Sequence, residues 1–142
     1  MRKSTEDIRN QDVTASRNGA GFSHQIAAFI ESGVSIVMGV AGPAGQARTG
    51  RALAARVVGD GTIRIVYVED GNTAITSAAR SGGPIAVTFS APLSHRTVQI
   101  KGFSSKTEEL QREDEDYVRQ QTEAFAQILA AVGEPPRFVQ AF

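Results

Sequence analysis

The chain contains no cysteine and no tryptophan, and only two methionines and two histidines among its 142 residues. Without cysteine there is no disulfide and no thiolate metal site. No run of about 18 apolar residues occurs, so the sequence predicts no membrane-spanning helix. Residues 1–7 lack the apolar core of a secretory signal, and the expected compartment is the cytoplasm. Excess charge is missing too: 15 Lys and Arg stand against 15 Asp and Glu, with pI near 6.7. No global basic field points to nucleic acid or to an anionic membrane, and neither is expected as a partner. What is there is ordinary for a soluble domain, 41% apolar and 21% charged. The length suits one domain that buries roughly two thirds of the surface its unfolded chain exposes.

The balanced charge is unevenly spread. Residues 1–105 hold 11 Lys and Arg against 7 Asp and Glu, and residues 106–142 hold 4 against 8. A basic body with an acidic helical appendage reads this way, without a dedicated charged partner.

Residues 1–20 carry few large apolar groups and read as a loose arm ahead of a single domain over 21–142. Phe22, Ile26, Phe29 and Ile30 then fall on one helical face, ended by Gly33. Residues 34–40 are short, β-branched and apolar, a buried strand. Residues 41–50, with three glycines and a proline, read as a loop. Residues 51–58 and 62–68 flank Gly59-Asp60-Gly61. An Asp-Gly pair between apolar runs supplies the positive φ of a primed turn, so the two runs form an antiparallel hairpin. Asn72 is placed to cap a short helix bearing Ile75, Ala78 and Ala79. Residues 84–90 and 95–103 alternate with period two, two more strands; on the second, Val98 and Ile100 face one way and His95, Thr97, Gln99 and Lys101 the other. Residues 113–132 form an acidic-headed helix with a stripe of Val118, Phe125, Ile128, Leu129 and Val132. Clustered antiparallel strands with few helices point to a mainly β fold, a small barrel or an α+β sheet.

Several easy motifs fail. The run 39–45 is glycine-rich but lacks both the Lys-Ser/Thr of a P-loop and the spacing of a dinucleotide fingerprint. His24 and His95 have no carboxylates bracketing them at ligand spacing, so no metal site is expected. No nucleophile elbow supports a Ser–His–acid triad. The acidic run 113–116 reads as a solvated helix start. Three places stand out. The strand from Arg51 to Arg56 mixes small residues with arginine at both ends; small side chains admit a flat ligand to the backbone and Arg grips phosphate, although a strand with two surface arginines looks the same. The polar face of 95–102 is a ladder of donors and acceptors, which a solvated face also resembles. Asn72-Thr73 at a helix start offers backbone N–H groups and a hydroxyl, as phosphate sites and simple caps both do.

Taken together, residues 22–30, Gly50-Arg51-Ala52-Leu53-Ala54-Ala55-Arg56-Val57, Ile85-Ala86-Val87-Thr88-Phe89-Ser90-Ala91-Pro92 and His95-Arg96-Thr97-Val98-Gln99-Ile100-Lys101-Gly102 resemble the pyridoxamine 5′-phosphate oxidase-like FMN-binding split-barrel family. The resemblance spans about residues 22–103. It implies a six-stranded antiparallel split β-barrel that pairs as a homodimer with FMN in clefts at the subunit interface. It implies that Arg51 and the helix start at Asn72 and Thr73 hold the phosphate. Ala52 and Leu53 would lie against the flavin ring, with Tyr67 and Val68 on the adjoining strand, and the stretch holding Arg96, Thr97 and Gln99 would approach the cofactor. His95 would be the one candidate proton donor. The implied activity is FMN-dependent oxidoreduction of a small substrate; a non-catalytic flavin or haem binder on the same scaffold is the alternative, and a deazaflavin would suit the cleft as well. Two departures stand out. The helix start has Gly71-Asn72-Thr73 where the family's oxidases carry a Ser-Arg-Lys clamp, and the expected C-terminal segment with its substrate-binding Arg and His is not found, so the resemblance does not extend to vitamin B6 oxidation. Only five strands are clear in the pattern, and 138–142 is too short to supply the sixth.

Overall fold

The hairpin signalled by Asp60-Gly61 is present. In the computed structural model, which describes residues 8–15, 21–59 and 61–133, Gly61 has φ +72° and Val57 pairs with Ile63 across the turn. In chain order the elements are β1 (Ile8–Ala15), α1 (His24–Ile30), β2 (Ser35–Ala41), β3 (Ala47–Ala52), β4 (Ala54–Gly59), β5 (Thr62–Val68), α2 (Thr73–Arg80), β6 (Pro84–Ser90), β7 (Thr97–Glu109), a 3₁₀ turn (Arg112–Asp114) and α3 (Glu115–Ala131). The architecture is mainly antiparallel β, a seven-stranded sheet in the order β3-β2-β6-β7-β1-β5-β4. None of the described helices is long and apolar enough to cross a membrane.

The two outermost strands, β3 and β4, are consecutive in the chain and separated by Leu53 alone. A single residue spans at most about 7 Å between its neighbours' Cα atoms. The sheet therefore curls until its ends meet at Leu53, whose N–H already donates to Val66 of β5 at 2.7 Å. Alternation sorts the side chains. Ile36, Met38 and Val40 of β2, Ile63, Ile65 and Tyr67 of β5, and Ile85, Val87 and Phe89 of β6 all point into one core. Phe29 and Ile30 of α1 and Ile75 of α2 pack onto it. Truncating any of the fully buried aliphatic chains to Ala would cost about 2–5 kcal/mol.

Four expectations change. The arm over 1–20 is not loose throughout: residues 8–15 are β1, bonded on one side to β5 and on the other to β7. Its few apolar residues concealed it, because Gln11 and Asp12 are buried beside Val13. Gln11 donates to Met38 Sδ at 3.2 Å and accepts from Ser104 at 3.1 Å, and Asp12 pairs with Arg64 at 3.0 Å. Second, the loop expected over 41–50 is a loop only to residue 46; β3 then pairs with β2. Third, the strand expected over 51–58 is two segments, since Arg51 and Ala52 pair with β2 while residues 54–59 pair with β5. Fourth, the strand expected over 95–103 begins at Thr97 and runs to Glu109. Residues 138–142 lie outside the described residues.

Candidate functional site

Two clefts beside β3 hold five of the expected residues, Asn72 and Thr73 in one and Arg51, Ala52 and Leu53 in the other. The larger, about 820 Å³, lies between the β2–β3 turn, β3 and α2, lined by Arg48, Thr49, Asn72, Thr73, Ser77 and Ser81 among others. The chain enters it through a turn in which Gly71 has φ +80° and Asn72 N–H donates to Glu69 C=O at 2.7 Å. Asn72 stands at the N-cap of α2, but its side chain does not cap the helix, against expectation. Its Nδ2 instead donates to Val68 C=O at 2.7 Å, and its Oδ1 leans on Gly50, where a Cβ would collide with it. Gly50 thus lets α2 start close against β3. First-turn N–H groups of a helix lack intrahelical acceptors, and the helix start is electropositive. Arg48 is exposed and has no ion-pair partner among the described residues. Among the described residues it is the one ionisable side chain lining the cleft.

The smaller cavity, about 50 Å³, is closed by Thr122 and Phe125 of α3 over Val34, Ser35, Ile36, Arg51, Ala52 and Leu53. Arg51 Nη1 reaches Ser35 Oγ at 3.5 Å. Paired residues of antiparallel strands share a face. By register Arg51 lies in one row with Val37, Thr88 and Gln99, and Ser35 in the next with Ser90 and Thr97. Gln99 Nε2 donates to Thr88 Oγ1 at 3.0 Å, and the hydroxyls of Ser90 and Thr97 are 3.1 Å apart. Arg51, Thr97 and Gln99 therefore share the sheet face opposite the core. The row from β3 to β7 crosses three strand spacings, roughly 14 Å.

The other expected residues are not gathered there. Tyr67 is fully buried, its hydroxyl 2.7 Å from Thr76 Oγ1, and Val68 is buried at the end of β5. Neither lines either cleft. Arg96 lies 4.6 Å over the Phe29 ring. His95 is exposed in the turn before β7 with φ +61°, and its N–H donates to Ala91 C=O at 2.9 Å. The residues the sequence reading missed are Arg48, Ser77 and Ser81 in the large cleft, and Thr122 and Phe125 on the helix that closes the small one. The signal for Arg48 was its place three residues before Arg51, obscured by reading 41–50 as a loop.

A third polar cluster holds α3 to the sheet. Asp114 is fully buried and pairs with Arg56 at 2.9 Å, with Arg64 at 3.9 Å. The bond to Asp12 holds the Arg64 guanidinium above its ordinary range. Tyr117 lies under Arg56, 5.0 Å from ring centroid to guanidinium. Burial pushes its phenol well above the ordinary tyrosine range, with the Asp114 charge adding to the effect. Among the described residues no three His, Cys, Asp or Glu gather as a metal-binding group. No family model, curated protein or solved structure matches this chain.

Proposed function

We propose that the protein binds FMN and is a flavin-dependent oxidoreductase of the pyridoxamine 5′-phosphate oxidase-related kind, acting on a small substrate in the cytoplasm. The observation that carries this reading is the large cleft: Arg48, the hydroxyls of Thr73 and Ser77, and the open first turn of α2 make a donor set suited to a phosphate monoester. The curled sheet supports a split barrel. Counting β3 and β4 as one strand bent at Leu53 gives six strands, and β1 is the one missing from the sequence pattern. The outer face of β3-β2-β6-β7, with small residues Gly39 and Ala86 beside exposed Phe103, is the face we assign to a homodimer. When bound, FMN would supply hydride or electron transfer, and the chain would hold and orient it. The fit is good at the phosphate end only. The ring end is too small while α3 is docked, since about 50 Å³ at Ala52 and Leu53 cannot hold a three-ring system.

A second reading, a non-catalytic flavin or haem binder, is favoured by one observation: among the described residues lining the cleft Arg48 alone is ionisable, and none of them is a carboxylate or a histidine. A visible spectrum of purified protein, repeated after adding FMN and dialysing, separates the readings. A retained two-band flavin spectrum, bleached by a reduced nicotinamide, supports the oxidoreductase. A retained flavin that resists reduction, or a single intense haem band, supports the binder. A colourless protein that keeps no FMN removes both.

A further inference from the structure

The acidic C-terminal helix is attached in an unusual way for an amphipathic element. Its one buried residue is polar, Gln121, whose amide bridges the backbone of Ala55 on the outer edge of β4: Oε1 accepts from the N–H at 2.9 Å and Nε2 donates to the C=O at 2.7 Å. The apolar residues Phe125, Ile128 and Leu129 are only half-buried, and Val132 is 44% exposed. The apolar side chains of α3 are thus at most half-buried, and elements with few fully buried apolar groups open at lower free energy than the core. A second tie, Asp114 to Arg56, sits just before the first turn of α3, where Tyr117 also packs under Arg56. It marks a pivot, with the Gln121 clasp two turns further on and the Phe125 cover beyond that.

What the cover hides is specific. Thr122 and Phe125 line one cavity with Arg51, Ala52 and Leu53, where the curled sheet's ends meet; Ala52 and Leu53 are half-buried there and Arg51 stays exposed. The space left, about 50 Å³, takes one or two water molecules.

We propose that α3 is a hinged cover over the strand bend at Ala52–Leu53, and that a flat aromatic ligand gains this surface only when the Gln121 clasp releases. For FMN the inference rests on the reading above; the cover itself does not. The closed helix then sets the apparent affinity, because a ligand that needs the open state is weakened by the fraction of time that state exists.

The chain has no cysteine, so Leu53→Cys introduces a lone thiol at the strand bend whose labelling rate reports opening. In a separate chain, Val87→Cys introduces a lone thiol in the core, which reports global unfolding. Both are measured on the full chain with and without Gln121→Ala. The expected result is that the bend thiol labels about tenfold faster in the Gln121→Ala background, from the loss of two hydrogen bonds, with the core thiol far slower in both. The proposal is overturned if the bend thiol reacts as fast as a free thiol in the background that keeps Gln121, if Gln121→Ala leaves its rate unchanged, or if the bend and core thiols label together. FMN titration of the parent and Gln121→Ala chains, read by flavin fluorescence, is expected to show about tenfold tighter binding to the variant. Equal affinity would overturn the proposal for a flavin. Binding to neither would remove the flavin reading, and the labelling rates would still decide whether the helix is a cover.

Discussion

The amide of Gln121 takes the place of a neighbouring strand for Ala55, satisfying both its N–H and its C=O. Two residues on, Glu31 Oε1 accepts from Val57 N–H at 2.9 Å. The outer edge of β4 is thus covered at alternate residues by side chains from two helical segments. Edge strands are commonly protected from pairing with other chains, and this is one means of doing it.

Replacing that amide with an apolar group of similar size should be costly. Gln121→Leu leaves a buried N–H and a buried C=O unpaired, and the expected loss is about 2–4 kcal/mol. Urea unfolding of the variant checks it; a loss under about 1 kcal/mol would mean that water replaces the amide without penalty.

Gly50 and Asn72 should show a steric coupling. A methyl group at Gly50 would collide with Asn72 Oδ1 and crowd Ile75 at 3.3 Å. Gly50→Ala is expected to lower stability by about 1–3 kcal/mol. Because the collision is with a side chain, Asn72→Ala should restore part of that loss. A double-mutant cycle measures the coupling, and strictly additive effects would contradict the contact.

Stability at alkaline pH should carry a component from Tyr117. Burial favours its protonated form in the folded protein, while the unfolded chain titrates near the ordinary value of 10.0. Below that pH both states hold the proton and the contribution is fully present. As pH rises past it, the unfolded chain releases the proton first and stability falls. Tyr117→Phe is expected to lack this component above pH about 10, while staying within about 0.5 kcal/mol of the parent at pH 7. Its hydroxyl makes no well-aligned hydrogen bond among the described residues, and the ring's packing under Arg56 is kept by Phe. Parallel alkaline declines in the two proteins would argue against it.

Arg48 and Arg51 should separate in a binding assay. Arg48 lines the large cleft with the start of α2, and Arg51 the small cavity under α3. Arg48→Ala is expected to weaken FMN or inorganic phosphate by roughly ten- to hundredfold, the worth of a charge-assisted hydrogen bond. Arg51→Ala should leave inorganic phosphate binding nearly unchanged. The reverse order, read by fluorescence or calorimetry, would move the phosphate to the other face of β3.

The strands with alternating or continuous apolar residues were legible in the sequence: 62–68 and 84–90 match β5 and β6 residue for residue. So was the Asp60-Gly61 turn, where one residue type answers a backbone need. β1 was hidden because its inward positions include Gln11, satisfied by Met38 and Ser104, which are distant in sequence. β3 was hidden because an edge strand of Ala, Arg, Thr and Gly has no apolar period. At the candidate site, residue type pointed to Asn72 and Thr73 but not to what the Asn72 side chain does, because Gly50 and Val68 approach it only in the fold. The resemblance implied a place for Tyr67 on the strand adjoining the ring; its hydroxyl is taken up by Thr76 inside the core.

The position of β1 has a consequence for how the chain is made. β1 precedes in the chain both of the strands that flank it, β5 and β7, whose pairing residues reach Glu109. Pairing on both sides must therefore wait until the chain has been synthesised as far as β7. Loop closure over such separations is slow compared with local hairpin formation. The hairpin of β4 and β5 has the local partners to form early, and β1 completes the sheet late. Until β1 inserts, the flanking edges of β5 and β7 are both open to mispairing.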